Sequence, residues 1–438
     1  MPKEKVFRAR DAALSSLLRF ERDGKYLNLE ADAVLKKNAA DDRERALYTT
    51  LLYGTAEHLI TLDYLIDQLA ARGKNSCPQA VKNILRIALY QLIYLDRIPA
   101  HAAVNEAVEQ AKKQGGKGTA AFVNAVLQNY LRKKDEILFP PRADGLPGYL
   151  SVRYSVSEPI CALLAGQYPE DVENILAAFG ENNAPTLRVN TYTAALDSLL
   201  DKLTAASIAC TPTEYSPFGI RLLQNVSVDR LFSIIGNDAY IEDEASQIAT
   251  CALDAAPGMH VIDVCAAPGG KSVSAAIEMK NEGELLALDL HENKLSLIRS
   301  AAEKAGIDII KTEKHDSREA IPALSGKFDR CICDVPCSGL GVMGKKPDLR
   351  YRDIADLSSL LETQRRILDA SAAYVRPGGI LVYSTCTINR KENEEQLARF
   401  LQNHPDFAVC DDHPCGRTLL PHREKTDGFY VAKLIRRT

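Results

Sequence analysis

The sequence predicts a multidomain fold in three parts: an all-α bundle, a small α+β module, and an α/β domain with a mainly parallel sheet. The chain has 438 residues, more than one hydrophobic core ordinarily serves. Its first ~140 residues show only helical periodicity, whereas apolar runs of strand length alternate with helical stretches from about residue 245 onward. The expected boundaries are 1–140 for the bundle, 141–240 for the module and 241–438 for the α/β domain.

The helical bundle is predicted from apolar stripes. In the stretch 80–96, apolar residues recur at the spacing of a helix with one buried face: Val81, Ile84, Leu85, Ala88, Leu89 and Leu92. Shorter stripes begin at Leu14, Leu47 and Phe122. Because each such helix needs a partner for its apolar face, we expect a bundle. Prolines and glycines at 140, 141, 145, 147 and 148 interrupt the pattern and predict a linker.

The remaining two parts contain strands. Thr186–Asn190 and Gly219–Leu223 alternate like strands around the helical stretch Leu196–Leu203, which predicts the small α+β module. The clearest strands further on are Val261–Val264, Glu284–Leu288, Cys331–Cys333 and Ile380–Tyr383. Their alternation with helices indicates βαβ units, and hence a parallel sheet with helices on both faces.

Charge and cysteine usage narrow the class of protein. Residues 1–150 carry 23 Lys and Arg against 18 Asp and Glu, whereas the remainder carries 31 against 40. This asymmetry permits an RNA-facing N-terminal part, although a slightly basic solvated surface explains it equally well. Eleven cysteines, an odd number in a large chain, do not indicate a disulfide framework and favour a reducing cytoplasm. No apolar run reaches the ~18 residues expected of a membrane span.

A small-residue loop follows the strand that begins at Val261. Gly269 and Gly270 allow close approach to a ligand, and a helix from Ser272 onward would present its N-terminus there. Such a loop can also be only a tight connection. Acids follow the next two strands, at Asp289 and Asp316, where a carboxylate can bind ribose hydroxyls. An adenosine-containing ligand explains both acids together, although each alone could be a helix cap.

Two cysteines occupy equivalent places after two strands. Cys337 lies in the loop that begins at Asp334, and Cys386 follows the strand Ile380–Tyr383. Loops at the carboxyl ends of parallel strands border one crevice, so the two thiols can meet over one pocket. Zinc is disfavoured because the chain lacks paired Cys-x-x-Cys spacing, while two inert buried thiols remain an alternative.

Charged groups near these loops suggest two further roles. The segment Asn389–Glu392 has a capping-box pattern, which predicts a helix N-terminus close enough to Cys386 to lower its thiol pKa. The nearby cations can hold RNA phosphates, or simply form a solvated basic loop: Lys345, Lys346, Arg350 and Arg352.

Four segments together resemble the Nol1/Nop2/Sun family of RNA 5-methylcytosine methyltransferases: Cys265–Lys271, Asp334–Gly339, Lys346–Asp348 and Tyr383–Cys386. Arg188–Thr191 and Asp243–Gln247 look like the family's upstream segment. The N-terminal part is similar to the NusB-like helical RNA-binding domain at Ile84–Gln91, Arg97–Glu106 and Phe122–Leu127. The combination resembles bacterial members that act on 16S rRNA. The chain departs from the family pattern at Lys345–Lys346 and Asp427–Tyr430, which leaves substrate fit open.

The resemblance implies a Rossmann-like domain that transfers a methyl group from S-adenosylmethionine to carbon 5 of a cytosine. It implies that Cys386 attacks the base, that Cys337 assists proton removal or release, and that Asp334 contacts the pyrimidine edge. The implied cofactor-binding residues are Cys265, Ala266, Ala267, Pro268, Gly269, Gly270, Lys271, Asp289, Asp316 and Asp334. We expect a cytoplasmic monomer that binds 16S rRNA and uses neither a metal nor a membrane.

Three alternatives stay open. The same chemistry can act on tRNA or another RNA. A non-enzymatic RNA-binding assembly factor can retain this fold, although the three intact residues Asp334, Cys337 and Cys386 argue against it. A nucleotide-dependent oxidoreductase shares the arrangement of strand, glycine loop and acid.

Overall fold

A computed structural model describes residues 7–24, 26–38, 41–70, 77–137, 139–181, 184–410 and 416–438. The chain forms two compact units. The first comprises Met1–Leu176 together with the segment Lys346–Asp353, and the second comprises Ala177–Lys345 and Ile354–Thr438. Within the described ranges, no helix is both long and apolar enough to cross a membrane.

The first unit is helical. Its helices are α1 (Ala9–Asp23), α2 (Leu27–Lys37), α3 (Asp42–Glu57), α4 (Leu59–Leu69), α5 (Gln79–Tyr94), α6 (Ala100–Lys133), α7 (Leu146–Tyr154) and α8 (Glu158–Gln167). The stripe predicted in 80–96 becomes the buried face of α5, where Ile84, Leu85 and Leu89 are inaccessible to solvent. Helix α6 has non-helical backbone at Gly115 and Gly116, so it consists of two helical pieces.

The linker predicted at 140–148 is only partly correct. A 3₁₀ turn covers Arg142–Asp144, and α7 already begins at Leu146. Pro147 lies in the first turn of α7, where a missing backbone N–H costs no hydrogen bond. Pro147 therefore lies at the start of a helix and not in a linker.

The segment Lys346–Asp353 packs within the first unit through Arg350. The Arg350 guanidinium is 2% exposed, donates to the Tyr154 carbonyl and forms an ion pair with Glu57 at 2.7 Å. The Tyr351 hydroxyl donates to the Ala56 carbonyl at 2.8 Å. Arg350 is thus a buried structural cation, and the expectation that it holds RNA phosphates is wrong.

The second unit starts with a small antiparallel sheet. Helix α9 (Val172–Ala178) precedes this sheet in the chain. The strands of the sheet and the helices between them are β1 (Thr186–Val189), α10 (Leu196–Ala205), β2 (Cys210–Pro212), β3 (Gly219–Leu222), α11 (Val228–Ile235) and β4 (Ala239–Ile241). The strand order is β2-β3-β1-β4, with every neighbouring pair antiparallel. Leu187, Ile220 and Leu203 lie in its core, which confirms the predicted α+β module.

A larger sheet forms the rest of the second unit. Its elements are α12 (Glu244–Cys251), β5 (His260–Asp263), α13 (Gly270–Glu278), β6 (Glu284–Asp289), α14 (Glu292–Ala305), β7 (Ile310–Lys314), β8 (Phe328–Asp334), α15 (Ser358–Tyr374), β9 (Val375–Thr385), α16 (Glu394–Asn403), β10 (Phe407–Cys410), β11 (Arg417–Leu419), α17 (Pro421–Glu424) and β12 (Phe429–Arg436). The order is β10-β12-β9-β8-β5-β6-β7, and β11 pairs with β12.

The strands β9, β8, β5, β6 and β7 are parallel, whereas β12 runs antiparallel to both of its neighbours, β9 and β10. Buried clusters cover both faces, one containing residues of α12, α13 and α14 and the other residues of α15 and α16. The chain proceeds from β5 to one side through β6 and β7, and to the other side through β8 and β9. The order therefore reverses between β5 and β8, where open α/β sheets bind their ligands.

Candidate active site

The loop after β5 forms one wall of this crevice. Gly269 has φ 112°, and a Cβ at this position would meet the Ile298 Cα of α14 at 3.0 Å. Glycine is thus required by backbone conformation and by close helix packing. Helix α13 begins at Gly270, so its N-terminal amides point toward the carboxyl ends of the strands.

Asp289 supports this loop from the end of β6. Its carboxylate is 8% exposed and accepts hydrogen bonds from the Ala267 amide at 3.3 Å and the His291 amide at 2.9 Å. Each oxygen retains acceptor capacity for a ligand hydroxyl. The predicted neighbourhood of Asp289 and the glycine loop is therefore present in the structure.

Asp316 lies two residues beyond β7 in a more open position. Its carboxylate is bound by the Arg318 guanidinium, and this hydrogen bond lowers the pKa of Asp316 to about 2. The neighbouring Ser317 hydroxyl donates to the Val264 carbonyl just after β5. The β7 loop is thus held against the same edge of the sheet.

A lysine and an acid connect the two sides of the crevice. Lys271 Nζ lies 2.8 Å from Asp334 Oδ2, and the Ser384 hydroxyl donates to Asp334 Oδ1 at 2.7 Å. Burial alone would lower the pKa of Lys271, but the Asp334 carboxylate offsets this and the pKa rises above its ordinary value. Lys271 therefore stays a cation between the cofactor-type loop and the cysteine loops.

The two predicted cysteines meet. Cys337 follows β8 and Cys386 follows β9, and these strands are parallel neighbours. Their Sγ atoms are 3.3 Å apart, and both residues are half-buried. The hydrogen bond to Cys386, together with burial, raises the pKa of Cys337 well above its ordinary value. The raised pKa means that the Cys337 sulfur keeps its proton.

A close glycine contact holds the cysteine loops together. The Gly341 amide donates to the Cys386 carbonyl at 3.1 Å, and the Gly428 amide donates to the Gly341 carbonyl at 2.9 Å. A Cβ on Gly341 would lie 1.7 Å from the Gly428 carbonyl oxygen. No other residue fits at 341 without separating these backbones.

The capping-box prediction is wrong. Helix α16 begins at Glu394, with Asn393 as the N-cap and no side-chain cap hydrogen bond. Asn389 instead donates to the Glu392 carboxylate at 2.9 Å, and the Glu392 side chain is buried inside the protein. The sequence pattern predicted a helix N-terminus as the positive group near Cys386. The structure provides the ammonium group of Lys271 in that role.

Lys345 is paired with two carboxylates. Its ammonium group lies 2.6 Å from Asp243 and 2.8 Å from Asp427, so it is a doubly paired cation, and its role in holding phosphates stays a prediction. Lys345 and Asp427 belong to the two segments that depart from the family pattern, and they are bound to each other.

Sequence reasoning did not single out the acid Asp263. It is buried at the end of β5 and accepts from the Ser272 hydroxyl at 2.6 Å. Burial raises the pKa of Asp263 to about 7. An acid inside the otherwise apolar run Val261–Val264 was the available signal.

Family models match all three parts of the chain. The model described as 16S rRNA methyltransferase RsmB/F matches residues 250–435, the NusB family model matches residues 8–132, and a ferredoxin-like domain of RsmF/B-like methyltransferases matches residues 160–229. A Bacillus subtilis relative, the probable ribosomal RNA small subunit methyltransferase B, is 38% identical and covers 97% of this chain and 98% of its own length. The chain belongs to the RsmB/F family of rRNA methyltransferases.

A further relative and two solved structures are also similar to this chain. A Synechocystis protein with the same description is 33% identical over 97% of this chain and 99% of its own. Among solved structures, the protein PH0851 matches with a TM-score of 0.79 at 23% identity, covering 99% of this chain and all of that one. A methyltransferase homologue from Pyrococcus horikoshii has a TM-score of 0.58 at 25% identity, covering 66% and 97%.

These matches confirm the predicted family and fold class. The RsmB/F chain combines a NusB-like helical domain, a ferredoxin-like module and an α/β methyltransferase domain. It is therefore an enzyme of an rRNA methyltransferase family.

Proposed function

We propose that this protein methylates carbon 5 of a cytosine in 16S rRNA, using S-adenosylmethionine. The observation that carries the proposal is the 3.3 Å approach of the Cys337 and Cys386 sulfurs beside the Lys271–Asp334 ion pair. Methylation at a ring nitrogen or at a ribose oxygen needs no paired thiols. Carbon 5 of a cytosine needs one thiolate, because it becomes nucleophilic only after a thiolate has added to carbon 6, and a second thiol beside the first can assist the later release.

We assign the attack to Cys386. The raised pKa of Cys337, caused first by its hydrogen bond with Cys386 and then by burial, keeps a proton on that sulfur. The positive charge of Lys271 interacts with Cys386 and favours its thiolate. These charges support the order that the family resemblance implies.

The residues of the chain can then act in sequence. The Cys386 sulfur bonds to carbon 6, and the electron pair of the 5,6 double bond moves into the ring. Asp334 hydrogen-bonds the pyrimidine edge, and the ammonium group of Lys271 stabilises the negative charge that develops there. After methyl transfer, a base takes the carbon 5 proton and the carbon–sulfur bond to Cys386 breaks, which restores aromaticity and the Cys386 thiolate; we assign Cys337 to assisting this release. The base must leave its stack to reach these side chains.

The cofactor residues fit an adenosine-containing ligand. The loop Cys265–Lys271 offers backbone amides at a helix N-terminus, and Asp289 offers carboxylate oxygens with spare acceptor capacity to ribose hydroxyls. We assign Asp316 to the adenine end. When bound, S-adenosylmethionine supplies an electrophilic methyl group.

The test uses two thiol variants, a control variant and sequencing of cellular RNA. Cys386→Ala is expected to abolish methyl incorporation into 16S rRNA, and Cys337→Ala to accumulate an RNA–protein complex that survives denaturation. Cys77→Ser, at a partly exposed thiol in the first unit, is the matched control and should behave like wild type. Full methylation by Cys386→Ala would overturn the nucleophile assignment. Bisulfite sequencing of cellular RNA with and without the protein identifies the base, and a tRNA target would overturn the 16S rRNA assignment.

A further inference from the structure

A buried carboxylate that the proposed reaction does not use lies between the two cysteine loops. Glu392 precedes α16 and its side chain is inaccessible to solvent. Its carboxylate accepts five hydrogen bonds: from the Ser338 amide at 2.8 Å, the Ser338 hydroxyl at 2.5 Å, Gln364 Nε2 at 2.9 Å, Asn389 Nδ2 at 2.9 Å and the Thr387 hydroxyl at 3.4 Å.

The donors come from both cysteine loops. Ser338 is the residue after Cys337, and Thr387 is the residue after Cys386. The two hydroxyls of these residues also lie 2.7 Å apart. Glu392 therefore binds both loops one residue beyond each thiol.

The third element that binds Glu392 is helix α15. Gln364 on this helix donates to the carboxylate and also to the Pro336 carbonyl, the residue before Cys337, at 3.0 Å. The Cys337 loop is thus fixed on both sides of the cysteine. The Glu392 backbone is fixed too, because its carbonyl accepts from the Tyr383 hydroxyl at 2.6 Å.

The chemistry of the site requires a carboxylate. An ionised carboxyl group only accepts hydrogen bonds, and every neighbour here is a donor. A glutamine of the same shape would turn an NH₂ group toward donors and leave buried polar groups unpaired, at a cost of about 1–3 kcal/mol each. A buried charge is retained only where such pairing stabilises it.

We propose that Glu392 is a positioning residue that sets the distance and orientation of the Cys337 and Cys386 thiols. Its catalytic consequence rests on the proposed cysteine mechanism, whereas its effect on thiol geometry does not. The negative charge of Glu392 adds to the causes that raise the pKa of Cys337, after the Cys386 hydrogen bond, burial and the Cys386 charge. The charge of Glu392 therefore favours the protonated form of Cys337.

The first measurement reads thiol geometry without RNA or cofactor. Diamide takes two electrons and two protons from a thiol pair and leaves a disulfide, so its rate reports how well the two sulfurs are aligned. We expect Glu392→Gln to slow formation of the Cys337–Cys386 disulfide by about tenfold or more, followed by mass spectrometry of peptides. Glu395→Gln, an exposed acid on α16, is the matched control and should keep the wild-type rate.

The second measurement reads the reaction. Single-turnover methylation by Glu392→Gln should fall by about 10²-fold, while the affinity for S-adenosylmethionine stays within about twofold because the cofactor loop lies on β5. Ser338→Ala keeps the backbone donor and removes only the hydroxyl. Ser338→Ala should therefore lower the rates of disulfide formation and of methylation by less than Glu392→Gln does. It replaces Glu392→Gln in both measurements if that variant does not fold.

The two proposals fail differently. A wild-type rate of disulfide formation in folded Glu392→Gln or Ser338→Ala would overturn the positioning role. Slowed disulfide formation in a protein whose wild type leaves cytosine unmethylated would overturn the proposed function and retain the positioning role.

Discussion

The contact between Gly341 and Gly428 provides the sharpest test of how the two cysteine loops are held. A Cβ added to Gly341 would lie 1.7 Å from the Gly428 carbonyl oxygen and 2.9 Å from the Cys386 carbonyl oxygen. Non-bonded contacts to carbon are favourable at about 3.5 Å, so Gly341→Ala must separate the two glycine backbones by about 1.8 Å.

That separation breaks two hydrogen bonds. Gly428 N–H to Gly341 O at 2.9 Å cannot survive it, and Gly341 N–H to Cys386 O at 3.1 Å lengthens with the shift. Overpacking of this kind typically costs about 1–3 kcal/mol, so the fold should persist. A misplacement of about 1 Å at reacting groups costs about 10²-fold in rate, so we expect at least that loss in methyl transfer.

The assay is single-turnover transfer of a labelled methyl group to RNA, with the affinity for S-adenosylmethionine measured calorimetrically on the same samples. Affinity should change little, because Gly341 belongs to the loop after β8 and the cofactor loop follows β5. Gly166→Ala is the matched control, since its Cβ would meet no atom within 4 Å and alanine favours its helix. A wild-type rate for Gly341→Ala would refute the argument that this close approach positions Cys386.

Three further predictions concern stability and cofactor binding. Burial, and then the charge of Arg350, lowers the pKa of His58 to about 4. Between about pH 6.5 and 4 the unfolded chain therefore binds a proton at this histidine that the folded chain does not bind. Acidification through this range should lower the free energy of unfolding by up to about 3 kcal/mol. His58→Phe retains the stacking on Tyr94 and should make this loss smaller when the free energy of unfolding is measured with denaturant at pH 7 and 4.5. An equal loss in the variant and the wild type would contradict the assignment to His58. Arg350→Met should destabilise the protein by about 3–5 kcal/mol because Glu57 loses its partner, and adding Glu57→Gln should restore part of this in denaturant titrations. Asp289→Asn should weaken S-adenosylmethionine binding about tenfold or more by calorimetry without slowing diamide oxidation of the two thiols, whereas unchanged affinity would remove Asp289 from the cofactor site.

Hydrophobic periodicity was enough to predict the fold class. The stripe within 80–96 became α5, and the apolar runs at 261–264, 284–288, 331–333 and 380–383 became parts of parallel strands. This succeeds because burial of one helix face or of a whole strand is written locally in the sequence. The parallel arrangement then placed Cys337 and Cys386 at one edge, where the structure brings their sulfurs to 3.3 Å.

Charged residues were predicted less well, because their partners are distant in sequence. Asn389–Glu392 matched a capping box, yet Glu392 binds Ser338, 54 residues away. Arg350 suggested a phosphate contact, yet its carboxylate partner Glu57 lies 293 residues away. A local pattern says that a charge is present but not which donor or acceptor the fold brings to it.

The sequence by itself therefore determined the family, the three kinds of domain and the two thiols, since motifs and periodicity are local properties of the chain. Only the tertiary structure decided which charges are available to a ligand and which are used within the protein. Burial makes an unpaired charge costly, so the partners that folding provides fix the role of Arg350 and Glu392. For Arg350 that role is structural, and for Glu392 the contacts lead to the thiols.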